Sequence, residues 1–254
     1  MTLVSSSHVT IQRDDELMFV VLDRGKVNAI DERVVQQLDD ALSVVENAEG
    51  VRAVVLIGSG KFFSFGFDIP AFMDHSQEAF TRFLETFTTL YTRLYMFPRP
   101  VVGALNGHAI AGGCMLALAC DRRIMAAGRG KISLNEITFG SSVFAGCVEM
   151  LRVIVGQQNA ERVLATGALW SPERALELGL VDEVVPPERL REAAAESARE
   201  IAGDAVVFQS MREMLRGPIA EKMRSGEAAS IREFVEIWYS EATRERLRKI
   251  KIRR

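Results

Sequence analysis

The chain has 254 residues, 48% of them hydrophobic and 26% charged, with a formal net charge of −3. These values exclude a disordered or fibrous chain, and a chain this long can build a core without disulfide or metal staples. The slight acidity argues against a protein that coats nucleic acid with its whole surface.

Residues 16–22, ELMFVVL, read as a buried strand. A turn, DRGKVNAID, leads into residues 31–48, where Val34, Val35, Leu38, Ala41, Leu42 and Val45 share one helical face. Residues 51–57, VRAVVLI, form a second buried strand that enters the glycine-bearing loop GSGKFFSFGFDIP. A helix with Phe80, Phe83, Leu84, Phe87, Leu90, Tyr91 and Leu94 on one stripe follows and stops near Pro98 and Pro100. Residues 101–105 make a third strand, which enters a second glycine loop, NGHAIAGG, and the apolar helix CMLALACD. Further strands are expected at 123–127, 131–133 and 181–185, and only helices beyond Pro187. Strands alternating with helices predict an α/β fold. In the helical tail, Phe234, Ile237 and Trp238 form an apolar face suited to docking on the core or on a neighbouring subunit.

Cys114, Cys120 and Cys147 form no C-x-x-C pair and read as buried thiols in a reducing compartment. Three histidines form no His-x-x-x-His pair, so no metal site is expected. No apolar run reaches the roughly 18 residues of a membrane span, and the first residues lack the pattern of a secretory signal. The expected location is the cytoplasm. No G-x-S-x-G, G-x-G-x-x-G or Walker pattern occurs.

Two loops, around Gly66 and around Gly112–Gly113, each join a strand to a helix. They read either as tight turns or as a pair of backbone N–H groups converging on an oxyanion. Glu136, in ISLNEITFG, reads either as a helix-terminal surface carboxylate or as a buried general base. The basic stretch RERLRKIKIRR reads as a solvated helix end or as a phosphate contact.

Together these segments resemble the crotonase family, the enoyl-CoA hydratase/isomerase superfamily. KVNAID, GKFFSFGFDI, RPVVGALNGHAIAGGCMLALACDRRI and VGQQNAERVLATGALWSPERALELGLVDEVVP are similar to four of its motifs, in register over most of the chain. The resemblance implies a spiral of β-β-α turns over residues 1–187 that binds an acyl-CoA thioester. It implies a helical region over residues 188–254 that assembles a homotrimer or a dimer of trimers. Coenzyme A would be part of the substrate, with no separate cofactor, metal or nucleic-acid partner. The oxyanion donors would be the N–H groups of Phe67 and Gly112, with Glu136 as the base. Lys26, Ser64, Phe65, Gly66, Asp68, Ile69, Gly113, Met115, Asn135 and Phe144 would surround the substrate. Lys26 and basic tail residues would lie near the coenzyme A phosphates.

The departures from the family pattern narrow the reaction. The first of the two hydratase glutamates aligns with Met115, which holds no water for attack. No acid stands near Phe144, where dienoyl-CoA isomerases and dehalogenases have an aspartate. Phe67, not histidine, follows Gly66. Asn135 before Glu136 is similar to the monofunctional Δ3-Δ2-enoyl-CoA isomerases, and that reaction is expected. The alternatives are a hydratase, a thioester hydrolase or a decarboxylase on the same fold, or a non-catalytic binding protein for acyl-CoA or RNA.

Overall fold

The computed structural model describes residues 2–5 and 7–250. An antiparallel meander opens the chain: β1 (Thr2–Ser5), β2 (Val9–Asp14) and β3 (Leu17–Leu22) pair in order. Of these only β3 was legible as a strand, because β2 offers just two buried apolar residues, Val9 and Ile11, to mark its face. Helix α1 (Glu32–Glu46) follows, and its N-cap Asp31 accepts from the Val34 N–H at 2.9 Å. It buries the six apolar residues of the predicted stripe.

Three turns of one plan come next. In the first, β4 (Ala53–Gly58) and β5 (Phe62–Ser64) precede α2 (Ile69–Phe72) and α3 (Gln77–Tyr95). In the second, β6 (Val101–Leu105) and β7 (His108–Ile110) precede α4 (Gly112–Ala119). In the third, β8 (Arg122–Ala126) and β9 (Ile132–Ser133) precede a 3-10 turn at Glu136–Phe139 and α5 (Ala145–Thr166). Helix α6 (Pro172–Leu178) and β10 (Glu183–Val185) then close the sheet edge.

The first strand of each turn joins a seven-stranded sheet in the order β1-β2-β3-β4-β6-β8-β10, parallel from β3 onward. The second strand joins a three-stranded parallel sheet, β5-β7-β9. Because β5, β7 and β9 run the same way, the loops that leave them emerge at one edge. That shared edge brings residues 65–68, 111–112 and 134–136 together. The short strands β5 and β7 were read as loop in the sequence, since two or three residues show no periodicity.

The large sheet is buried on both faces. Met18, Val20, Val54 and Leu56 point to the core under α1 and α3, while Leu17, Phe19, Val55 and Ala104 point to the opposite side. There α7 (Leu190–Ile201) lays Ala193, Ala194 and Ala198 on the sheet, and their small side chains permit a close approach.

Helix α8 (Ala205–Tyr239) is clamped to the core by Arg212, whose Nη2 donates to both oxygens of Asp121 at 2.7 and 2.6 Å. Asp121 in turn accepts from the Val101 N–H at 2.7 Å. The Phe234 and Trp238 face packs on this same chain: Trp238 lies 4.7 Å from Phe80 and Phe234 lies 4.7 Å from Phe144, ring centre to ring centre. Of the two readings of this face, docking on the chain's own core is the one seen for Phe234 and Trp238, while Ile237 stays half-buried. Helix α9 (Glu241–Leu247) ends the described tail, with Thr243 Oγ1 donating to the Gly140 carbonyl at 2.6 Å. Residues 251–254 of the basic stretch lie outside the described residues.

Candidate active site

The first glycine loop is fixed from several sides. Gly66 has φ +86°, in the left-handed region, and a Cβ there would meet the Ile110 carbonyl oxygen at 2.8 Å and the Gly112 nitrogen at 3.1 Å. Glycine is thus required twice over, by dihedral angle and by space. The loop is stitched to the preceding segment by Ile30 N–H to Gly66 O at 2.8 Å and Asp68 N–H to Ile30 O at 2.9 Å. Ser64 is fully buried; its Oγ donates to the Asn28 carbonyl at 2.7 Å and accepts from the Gly66 N–H at 3.2 Å. Asp68 is buried and ion-paired with Arg24 at 2.7 Å. Asn28 donates from Nδ2 to Ser59 O and Phe62 O. Ser64, Asp68 and Asn28 therefore shape the loop, and Ser64 and Asp68 do not line the central pocket expected of substrate contacts.

The second loop touches the first. A Cβ on Gly112 would lie 3.0 Å from the Phe67 ring, and one on Gly113 would run into the Ser64 carbonyl. Ala111, at the N-cap of α4, takes φ 50° and ψ −119°, a strained backbone for a residue with a Cβ. Among the described residues neither the Phe67 N–H nor the Gly112 N–H meets an acceptor, and Gly112 opens helix α4. Two unpaired N–H groups on adjoining loops, one at a helix N-terminus, are the elements of an oxyanion hole.

Glu136 begins the 3-10 turn after β9 and is 4% exposed. Neither carboxyl oxygen finds a hydrogen-bond partner among the described residues. Burial pushes its pKa up to about 8, against a smaller opposing pull from its own backbone N–H. It faces a pocket of about 300 Å³ together with Met115, Asn135, Phe67, Ile69 and Phe65. Asn135 Oδ1 is likewise buried without a partner. The surface-carboxylate reading of Glu136 is excluded by its burial.

The remaining expected residues separate. Phe144 is fully buried behind Phe67, at the N-cap of α5, and belongs to the wall rather than the lining. Lys26 lies in a different hollow of about 410 Å³, beside Arg24 and Arg33. A larger hollow of about 570 Å³ between α3 and α8 shares no residue with the Glu136 pocket and neither glycine loop lines it. Phe234, Trp238 and Ile250 also line the Glu136 pocket, and sequence reasoning did not place them there. The sequence signal for Phe234 and Trp238 was the apolar face of the tail, which does not say what it covers, and Ile250 lay within the basic stretch.

Cys114 and Cys147 are buried thiols pushed to high pKa by desolvation, with the Glu136 carboxylate a further cause. Among the described residues no helix is long and apolar enough to cross a membrane.

Strand–strand–helix turns thus bring two unpaired backbone N–H groups and one buried carboxylate to a single pocket region. The family described as "Enoyl-CoA hydratase/isomerase" matches residues 12–249. The chain belongs to that family, and its fold is the mixed α/β crotonase fold with a C-terminal helical region. It is similar to the solved human mitochondrial delta3-delta2-enoyl-CoA isomerase, at 28% identity with a TM-score of 0.90, covering 95% of this chain and 96% of that one. It is 30% identical over 203 residues to the short-chain-enoyl-CoA hydratase of Clostridium acetobutylicum, covering 79% of this chain and 77% of the relative. The fatty acid oxidation complex subunit alpha of a Psychrobacter species is 36% identical over 198 residues. That match takes in 76% of this chain but only 27% of the much longer relative.

Proposed function

We propose that this enzyme moves the double bond of a 3-enoyl-CoA to the 2-position. The thioester oxygen accepts from the N–H groups of Phe67 and Gly112. Glu136 takes a proton from C2, the electron pair moves onto the thioester oxygen, and a dienolate forms. The same carboxyl then returns the proton at C4 as the dienolate collapses to the conjugated 2-enoyl-CoA. Each oxyanion donor contributes about 3 kcal/mol to the transition state.

The observation that carries this reading is the pairing of Glu136 with Met115 in one pocket. A 1,3-proton shift needs one carboxyl that can both take and give a proton, and a pKa raised by burial suits that double role. Hydration needs a water fixed by further polar groups, and a thioether is a poor acceptor for it. The test is to supply 3-enoyl-CoA and 2-enoyl-CoA thioesters separately and identify products by NMR. Isomerisation with little hydration supports the reading; 3-hydroxyacyl-CoA as the main product replaces it with the hydratase.

The proposal extends to assembly and location: a homotrimer or a dimer of trimers, acting on an acyl-CoA in the cytoplasm without a separate cofactor or metal. Three observations support it. The first half of α8 exposes Val206, Val207, Met211, Met214 and Leu215, an apolar stripe that a second subunit could cover. The three cysteines are free and buried, as suits a reducing compartment. Lys26 and Arg33 offer positive charge for the coenzyme A phosphates, whereas Arg24 beside them is ion-paired with Asp31 and Asp68.

A further inference from the structure

The Glu136 pocket has a mouth and a floor. Phe65, 39% exposed, stands at the mouth, whereas Phe234 and Trp238 of α8 are 2% and 1% exposed and stand at the deep end. The floor is backed by a second aromatic layer. Trp238 packs on Phe80, Phe234 packs on Phe144, and the two floor rings lie 5.8 Å apart. Helix α8 cannot easily slide away, since Arg212 holds Asp121 at one end and Glu227 accepts from Tyr91 and from the Gly146 N–H nearer the floor. Close-packed rings on a clamped helix yield little to a longer ligand.

We infer that Phe234 and Trp238 set an upper limit on acyl length, so that this enzyme takes short- and medium-chain thioesters and rejects long ones. The inference rests on the acyl-CoA reading above and adds the substrate class. The pocket holds about 300 Å³. An apolar cavity of about 150 Å³ takes one benzene, so on that scale this pocket takes roughly twelve heavy atoms. The thioester carbon, oxygen and sulfur occupy three of them, and the acyl group therefore ends at about ten carbons. Apart from the reacting end and Thr138, the walls are aromatic and aliphatic, which suits an unsubstituted hydrocarbon chain.

The test is calorimetric binding of saturated butanoyl-, hexanoyl-, octanoyl-, decanoyl-, tetradecanoyl- and hexadecanoyl-CoA to the full chain. Saturated thioesters report binding without turnover. Affinity should rise roughly fourfold for each added methylene, about 0.8 kcal/mol, and the rise should stop near decanoyl-CoA. Hexadecanoyl-CoA should bind no more tightly than decanoyl-CoA. Trp238→Leu and, separately, Phe234→Leu, each checked for folding by thermal melt, should move the break to longer chains. A wild-type affinity that keeps rising through hexadecanoyl-CoA overturns the length limit while leaving the isomerase reading intact. Failure of every thioester to bind overturns both. A break that stays put in both folded variants overturns the assignment of the floor to these two rings. The wild-type series decides the length limit even if both variants fail to fold.

Discussion

The Ala111 N–H donates to the Ser133 carbonyl at 2.8 Å, joining the second glycine loop to the strand that ends just before Glu136. One backbone bond thus ties the placement of the Gly112 N–H to the placement of Glu136, the proposed base. The link has an energetic counterpart. Ala111 sits at φ 50° and ψ −119°, where a Cβ costs on the order of 1–3 kcal/mol.

Ala111→Gly should relieve that strain. Glycine loses about 0.5–1 kcal/mol of chain entropy on folding, so the net gain in stability should be roughly 1 kcal/mol. Turnover should fall, because a looser turn holds the Gly112 N–H less firmly toward the thioester oxygen. Thermal melts and isomerase kinetics on one preparation check both halves. A variant that melts below wild type shows that the backbone there is not strained.

Met115 separates the proposed reaction from hydration. Met115→Glu would put a second carboxylate beside Glu136, in a position 1% exposed. Stability should drop by about 2–3 kcal/mol from the buried polar group. Hydration of crotonyl-CoA should rise by at least roughly tenfold, since a water then has two groups to hold it. A folded variant with no gain in hydration would mean that the pocket cannot seat that water at all.

Much of this site could be read before the fold was known, and the reason lies in particular residues. Gly66 and Gly113 are required by steric contacts that no other residue satisfies, so the motifs that carry them are recognisable as strings. Glu136 was legible only as one of two readings, because burial depends on how α5 and α8 close over it. Ser64 and Asp68 lie inside a recognisable motif but serve the loop, and a motif does not distinguish shaping from contact. Phe234 and Trp238 were legible as an apolar face and illegible as a pocket floor. Their partners Phe80 and Phe144 are roughly 90 to 160 residues away in sequence, and periodicity says nothing about such pairings.

The exposed stripe on α8 gives a test of assembly. Met214 and Leu215 are 71% and 78% exposed, so a charge at either should not disturb the fold of a lone chain. Met214→Glu and Leu215→Glu should each lower the sedimentation coefficient or make it concentration-dependent, with the far-UV spectrum unchanged. If both variants sediment as wild type in an oligomer, the subunit contact lies elsewhere. If wild type is itself a monomer, the proposed trimer is wrong.

Glu136 makes opposite demands on activity and stability, and pH separates them. Its folded pKa stands near 8, above the usual carboxylate value of 4.5, because burial disfavours the charged form. The base must be ionised to take the C2 proton, so kcat/KM for 3-enoyl-CoA should rise with pH and level off above about 8. Stability should run the other way. Below the unfolded value both states hold the proton and the group is neutral in its effect. Between the unfolded and folded values the unfolded chain releases a proton that the folded chain keeps, so stability falls as pH rises, by up to about 1.4 kcal/mol per pH unit. Above about 8 the loss is complete and constant. Glu136→Gln removes the titration while keeping the shape. Its turnover should drop by roughly two to four orders of magnitude, with thioester affinity nearly unchanged. Its melting temperature should exceed that of wild type at alkaline pH and converge with it in acid. Wild-type turnover in this variant would remove Glu136 as the base, and a stability difference that grows toward acid would contradict the raised pKa.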